Sequence, residues 1–370
     1  MKKIKVFSQG RVYRAARFPL AFPSRHVPTP SVTAEPKRLE LVCPAGSLPA
    51  LRAAVDEGAD CVYLGLRDAT NARNFAGLNF DEKAIADGIR HAHGRGCKVL
   101  MAVNTYPAPG DPGRWRAAID TAAALGIDAV ILADPGLMQY AARRHPGLRL
   151  HLSVQGSATN HEAINLYHEQ FGIQRAVLPR VLSLEQVRQV IDHTPVEIEV
   201  FGFGSLCVMV EGRCALSSYA TGESPNMHGV CSPAKSVRWE EKPTGLEARL
   251  GGVLIDRYGS GEKAGYPTLC KGRFDVADEK AYYAVEEPTS LNALELLPQL
   301  LKIGVRAVKI EGRQRSAAYV AQVTRVWREA IDHALALSHR YTVNTRWMVE
   351  LDQLAEGQQH TLGAYHRPWK

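Results

Sequence analysis

The sequence predicts an α/β protein built as a (β/α)8, TIM-barrel-like domain, with a long cysteine-bearing insertion capping the C-terminal mouth. Three observations carry this. Short apolar runs rich in Val, Ile and Leu alternate with amphipathic stretches along the body of the chain. Seven such runs precede residue 205 and an eighth lies near Ala307–Glu311, which favours a closed barrel over a doubly wound sheet. No G-x-G-x-x-G follows the first run, so a dinucleotide-binding fold lacks its phosphate loop.

The elements follow in order. Leu39–Cys43, Cys61–Gly65, Lys98–Asn104, Ala129–Ala133, Leu150–Val154, Ala176–Pro179 and Glu197–Phe201 read as buried strands. Ala50–Glu57, Asp81–Gly94, Gly113–Leu125 and Leu184–His193 read as amphipathic helices between them. A partial repeat marks the boundaries: Gly58-Ala59-Asp60-Cys61-Val62, Gly126-Ile127-Asp128-Ala129-Val130, Gly172-Ile173-Gln174-Arg175-Ala176-Val177 and Gly304-Val305-Arg306-Ala307-Val308. In each, glycine is expected to close a helix in the left-handed conformation before the chain enters the sheet. The pattern breaks from Gly202 to about Leu300, a length that points to a functional loop or small subdomain. Helix Ala317–Leu337 is expected to complete the barrel wall. The resulting division is 1–38 a basic extension, 39–201 seven βα units, 202–300 the insertion, 301–340 the last strand and helix, and 341–370 an irregular appendage.

The chain carries 45 Lys and Arg against 38 Asp and Glu, a net charge of +7. Residues 1–38 hold nine of the basic residues and a single Glu, a net of +8, which leaves the rest at −1. A globally basic RNA-binding surface is therefore not supported, although a local patch remains open. The tail has the composition of an organelle transit peptide, but reads equally as a disordered extension or a misassigned start. It lacks the apolar core of a secretory signal, and no stretch approaches the length of a membrane span, so a cytoplasmic location without a transmembrane segment is expected.

Four cysteines, Cys207, Cys214, Cys231 and Cys270, fall within 64 residues of the insertion, at intervals of 7, 17 and 39. Those intervals are too wide for a C-x-x-C redox pair or a zinc knuckle. An iron–sulfur cubane can be reached from separate loops, and the Gly-rich surroundings of Cys207 and Cys214 offer backbone N–H groups to cluster sulfurs. Buried free thiols or two disulfides are the alternatives that spacing leaves open. Cys61 and Cys97 fit the core, and Cys43 ends the first strand at a Cys-Pro-Ala-Gly turn.

Barrel active sites form from the loops after the strands. The polar residues expected there are Asn104, Asp134, Gln155, Arg180, Glu199, Glu311 and Arg313, with Asn71 and Arg73 from the second βα loop. Any of these arginines can simply pair with a neighbouring carboxylate. Three at one mouth, Arg73, Arg180 and Arg313, suit an anionic ligand, because guanidinium groups bind carboxylates through paired N–H donors. Peptidase chemistry has no support: His161-Glu162 has no second histidine in an H-E-x-x-H frame, and Ser205 lacks a G-x-S-x-G context.

Glu199-Val200-Phe201-Gly202-Phe203-Gly204-Ser205-Leu206-Cys207 with Gly212-Arg213-Cys214-Ala215-Leu216-Ser217 resembles the signature of the collagenase-like peptidase (U32) family. Asn71-Ala72-Arg73, Ser157-Ala158-Thr159-Asn160, Val177-Leu178-Pro179-Arg180, Thr221-Gly222-Glu223-Ser224-Pro225-Asn226, Lys309-Ile310-Glu311-Gly312-Arg313-Gln314 and Thr361-Leu362-Gly363-Ala364-Tyr365-His366-Arg367 extend the likeness, which runs from about Leu39 to the C-terminus. Within the family it is closest to subunits of oxygen-independent ubiquinone hydroxylases. The resemblance implies a 4Fe-4S cluster on Cys207, Cys214, Cys231 and Cys270, and an oxygen atom drawn from prephenate rather than dioxygen. It also implies a ubiquinone precursor as substrate, a UbiV-like homologous subunit as heterodimer partner and a lipid-binding accessory protein. Donor or substrate contacts are expected from Arg73, Arg180, Arg313, Asn71, Asn104, Gln155 and Glu311, with no catalytic acid or base assigned. Hydroxylation of an RNA base and a non-catalytic iron–sulfur scaffold are the competing readings.

Overall fold

The computed structural model describes residues 39–209, 213–224, 229–262, 264–337 and 340–367. The expectation for the 1–38 tail lies outside the described residues. The first half of the body alternates without interruption: β1 (Glu40–Pro44), α1 (Leu48–Asp56), β2 (Cys61–Gly65), α2 (Glu82–His93), β3 (Lys98–Val103), α3 (Gly113–Leu125) and β4 (Ala129–Leu132). It continues with α4 (Pro135–Arg144), β5 (Arg149–Leu152), α5 (His161–Phe171), β6 (Arg175–Val177), α6 (Leu184–Asp192) and β7 (Glu197–Ser205). The insertion holds α7 (Ala215–Thr221), an antiparallel sheet of β8 (Val237–Lys242), β9 (Gly245–Leu250) and β10 (Val253–Tyr258), and a hairpin of β11 (Arg273–Val276) and β12 (Glu279–Tyr283). Then come β13 (Ser290–Asn292), α8 (Leu297–Ile303), β14 (Ala307–Ile310), α9 (Ala317–Leu337), α10 (Thr345–Leu354) and β15 (His360–Thr361).

Among the described residues, β1 to β7 pair in sequence order, all parallel, and β14 closes the ring by pairing with both β7 and β1. This is the expected (β/α)8 barrel. Glycines shape its corners as the repeat foretold: Gly58, Gly126, Gly172 and Gly304 have φ of 92°, 77°, 71° and 89°. At the other ends, Ser47, Asp81, Asp134, Asn160 and Ser183 cap helices through side-chain acceptors, each typically worth about 1 kcal/mol. Asp134 was expected to face the mouth; its Oδ1 instead accepts from the Leu137 N–H at 2.9 Å, which is the local demand at the start of α4.

Strand β7 runs past Phe201 to Ser205, and its extension pairs with antiparallel β13, with β15 beyond. Close packing against α9 makes this possible, since a Cβ on Gly202 would lie 2.7 Å from the fully buried Trp327 ring. The main apolar layer lies between the strands and the helices. Inside the ring lies a smaller apolar cluster, Val42, Cys61, Tyr63, Leu100, Ala129, Ile131 and Ala307. Ionic residues touch it: Glu40, Arg175, Glu199, Lys309 and His151 are all buried, with Cys61 Sγ 3.7 Å from Glu40 and Lys309 Nζ 3.9 Å from the Tyr63 ring centroid. Arg175 donates to Glu40 at 2.6 Å and Lys309 to Glu199 at 2.7 Å, so the buried charges are paired. Glu199, expected at the mouth, belongs to this interior because it sits in the body of β7 opposite Ala307 of β14.

Candidate active site

A cavity of about 710 Å³ opens at the C-terminal ends of the barrel strands. Strand residues Tyr63, Ala102, Ile131, Val177, Phe201 and Lys309 form its floor. Arg73, Asn104, Gln155, Arg180, Glu311 and Arg313 line it nearer the loops. The insertion contributes Cys207, Cys231, Ser232 and Tyr266, and the C-terminal segment contributes Gln353, Glu356 and Gly357.

The arginines converge around one carboxylate. Arg180 Nη1 donates to Glu311 Oε2 at 2.5 Å and to the Ser205 carbonyl at 3.0 Å, while its guanidinium lies 4.2 Å from the Phe201 ring centroid. Arg73 Nη2 lies 3.5 Å from Glu311 Oε1, and its buried Nη1 has no hydrogen-bond acceptor among the described residues. Burial works to raise the Glu311 pKa, but Arg180 and Arg73 outweigh it and hold the carboxyl below its ordinary value. Burial also brings the Arg313 guanidinium down to about 10, with Arg73 pushing the same way. Glu311 and Glu356 line the cavity against Arg73, Arg180, Arg313, Arg315 and Lys309, which leaves it an excess of positive charge, the electrostatic requirement for an anionic ligand.

The remaining polar residues divide by role. Asn71 is fully buried and does not line the cavity; its Oδ1 accepts from Arg313 Nη1 at 2.6 Å and its Nδ2 donates to Asn79 Oδ1 at 2.9 Å. It therefore positions Arg313. The loops after β1 and β14 also meet tightly here, since a Cβ on Gly46 would lie 1.7 Å from the Arg313 carbonyl oxygen. Asn104 ties two loops together, accepting from the Ala72 N–H at 3.1 Å and donating to Ser153 Oγ at 3.4 Å. Gln155 is buried on the wall, with its side chain against Gly229.

Two lysines at this site escaped the sequence reading. Lys309 hid inside an apolar strand pattern, although its Lys-Ile-Glu-Gly-Arg context was visible. Its pKa is lowered by burial despite the Glu199 carboxylate beside it. Lys271, which follows Cys270, is buried, bound to Glu356, and donates to Ser205 Oγ at 3.1 Å and the Thr289 carbonyl at 3.3 Å.

The four insertion cysteines are free thiols, and Cys207 and Cys231 face the cavity. Cys214 caps α7, where its Sγ accepts from the Ser217 N–H at 3.3 Å. Burial, opposed by Arg73 and reinforced by the other three thiols, pushes Cys231 up to about 12. Burial likewise pushes Cys270 up to about 11, with Cys207 and Cys214 close enough to contribute. The four sulfurs thus lie within electrostatic range of one another. Among the described residues, no three Cys, His, Asp or Glu side chains converge on a single ion position. Cys43, Cys61 and Cys97 are separate: all are buried, and burial raises each thiol's pKa. Cys43 packs with the main core and accepts from Thr324 Oγ1 at 3.3 Å.

Comparison with known proteins adds ancestry to this geometry. The tRNA hydroxylation protein P of Escherichia coli is 34% identical over 320 residues, covering 80% of this chain and 68% of that protein. The tRNA hydroxylation protein P1 of Bacillus subtilis is 30% identical over 319 residues, covering 86% and 69%. The 23S rRNA 5-hydroxycytidine C2501 synthase of E. coli is 30% identical, covering 81% of this chain and 40% of its own length. The chain thus spans about two thirds of the length of the tRNA-hydroxylation relatives. Residues 46–368 match peptidase family U32, and the chain belongs to that family.

Proposed function

We propose that this chain is the iron–sulfur subunit of an oxygen-independent hydroxylase of the UbiU type. It would act in the cytoplasm on the ring of a ubiquinone precursor, with prephenate as oxygen donor. The observation that supports the reading is a set of four free thiols, two of them, Cys207 and Cys231, lining a cavity with excess positive charge. A 4Fe-4S cubane attaches each thiolate to a different iron, so its ligands need not meet at one ion position, and Cys207, Cys214, Cys231 and Cys270 fit that demand better than a mononuclear site. When bound, the cluster supplies one-electron redox chemistry. Arg73, Arg180 and Arg313 would hold the donor's carboxylates, and the apolar floor would exclude water from the ring. A polyprenyl tail is far larger than a cavity of about 710 Å³, so a UbiV-like partner and a lipid-binding accessory protein would carry the rest of that substrate.

RNA base hydroxylation is the second reading, and the names of the tRNA and rRNA relatives favour it. Against it stands the net charge of −1 over residues 39–370, since RNA binding draws on basic surface.

Anoxic expression of the chain with a UbiV-type partner, in a bacterium lacking its own ubiquinone hydroxylases and RNA-base hydroxylases, separates the two. Ubiquinone formation with unchanged RNA nucleosides is expected. Restored hydroxynucleosides in tRNA or rRNA, without quinone, would transfer the assignment to RNA. Anaerobically purified protein should carry about four irons with acid-labile sulfide per chain; iron-free protein that cannot be reconstituted would end the cluster assignment.

A further inference from the structure

Lys309 is the least expected residue in the cavity. It is 6% exposed, its Nζ lies 3.9 Å from the Tyr63 ring centroid, and among the described residues its hydrogen-bond acceptor is Glu199 Oε1 at 2.7 Å. An ammonium carries three N–H donors, and Glu199 takes one. The other lining of the floor is Tyr63, Ala102, Ile131, Val177 and Phe201, which offers a ring-shaped ligand apolar contact and little hydrogen bonding. The floor is thus an apolar slot with a single charged donor. Glu311, the centre of the arginine group, comes two residues later in the chain. Two residues of extended chain span roughly 6–7 Å. A six-membered ring with an oxygen at one end and a carboxylate-bearing substituent at the other bridges that interval.

We propose that Lys309 is a specificity-determining residue that hydrogen-bonds the ring oxygen of a cyclic carboxylic acid held oxygen-down, its carboxylate on the rim arginines. Glu199 positions the ammonium, and the Tyr63 face fixes its approach. The proposal deepens the donor reading given above and rests on it. It explains why a barrel interior carries a lysine at all: a buried ion pair is weak support for stability, and a hydrophobic pair would fill the same space at no cost in desolvation.

The test is calorimetric titration of the full chain, under anoxia, with 4-hydroxyphenylpyruvate and with phenylpyruvate, which differ only in the ring hydroxyl. Among the described residues, Lys309→Met leaves Glu199 only the Arg175 guanidinium, 3.6 Å from its Oε2, so the double variant Lys309→Met/Glu199→Gln is measured beside it. Wild type should prefer the hydroxylated probe by about tenfold or more, the effect of one hydrogen bond to a charged donor. Both variants should lose that preference and keep their affinity for phenylpyruvate. Arg180→Met should weaken both probes alike. A preference that survives in the double variant, or a wild type that does not discriminate, overturns the assignment. A wild type that binds neither probe overturns the donor reading together with it.

Discussion

Ser217 donates its hydroxyl to the Cys231 carbonyl oxygen at 2.6 Å while its backbone N–H donates to Cys214 Sγ at 3.3 Å, so one buried serine ties two of the four cysteines together. The hydroxyl also reaches the Val230 carbonyl at 3.4 Å. Ser217→Ala removes the side-chain link and strands those carbonyls, a loss of about 1 kcal/mol in stability. The expected outcome is a small drop in denaturant midpoint and faster loss of iron to a chelator. Unchanged iron release would show that the serine merely fills space.

Cysteine substitutions should sort into two groups. Replacing Cys207, Cys214, Cys231 or Cys270 by Ala is expected to abolish stable iron incorporation, because each would own one corner of the cluster. Cys97→Ala, in the wall of the main core, should retain iron and sulfide and cost only the packing of one small buried side chain. Iron and sulfide analysis after anaerobic reconstitution checks both. Retention of the full complement in any of the first four variants would remove that residue from the ligand set.

The Lys271–Glu356 pair joins the Cys270 turn to the segment following α10. Lys271 is buried, whereas the Glu356 side chain is 25% exposed, which tempers the pair's contribution. Among the described residues, Glu356→Ala leaves the ammonium Ser205 Oγ and the Thr289 carbonyl, and it should destabilise by about 2–3 kcal/mol. Urea unfolding measures this. Because Lys271 adjoins Cys270, iron retention should fall with it; a variant as stable as wild type would show that the C-terminal segment is not braced through this pair.

The barrel was legible because its signals are local. Val- and Ile-rich runs between Gly-closed helices name strands without tertiary help, and Gly126, Gly172 and Gly304 occupy the left-handed conformation at their helix ends. Sequence periodicity does not delimit α4 and α5, nor does it reveal the β8–β10 sheet of the insertion, whose strands are short, half exposed and rich in charge. At the site, sequence order located the mouth but not the direction of each side chain. Asp134 reads as facing the mouth and Asn71 as a ligand contact, yet one caps a helix and the other holds Arg313 from behind. Glu199 and Lys309 were invisible as a pair because they are 110 residues apart and meet only when β14 closes against β7.

The ionic interior should give the barrel a distinct acid sensitivity. Burial alone would raise Glu40, but Arg175 and then Lys98 outweigh it and bring its pKa from 4.5 down to about 2. A carboxyl whose folded value is depressed contributes stability that is complete above its unfolded value and is lost as pH falls through the folded one. The window here runs from about 4.5 to about 2, and the shift corresponds to about 3 kcal/mol. Glu40→Gln removes this titration while leaving Arg175 its bond to Glu197 Oε2 at 2.7 Å. Urea midpoints followed from about pH 5 downward should therefore fall more steeply in wild type than in the variant, with the variant already weaker at the upper end. Parallel slopes would mean that Glu40 keeps an ordinary pKa, and that the pairing with Arg175 does not hold the base of the barrel together.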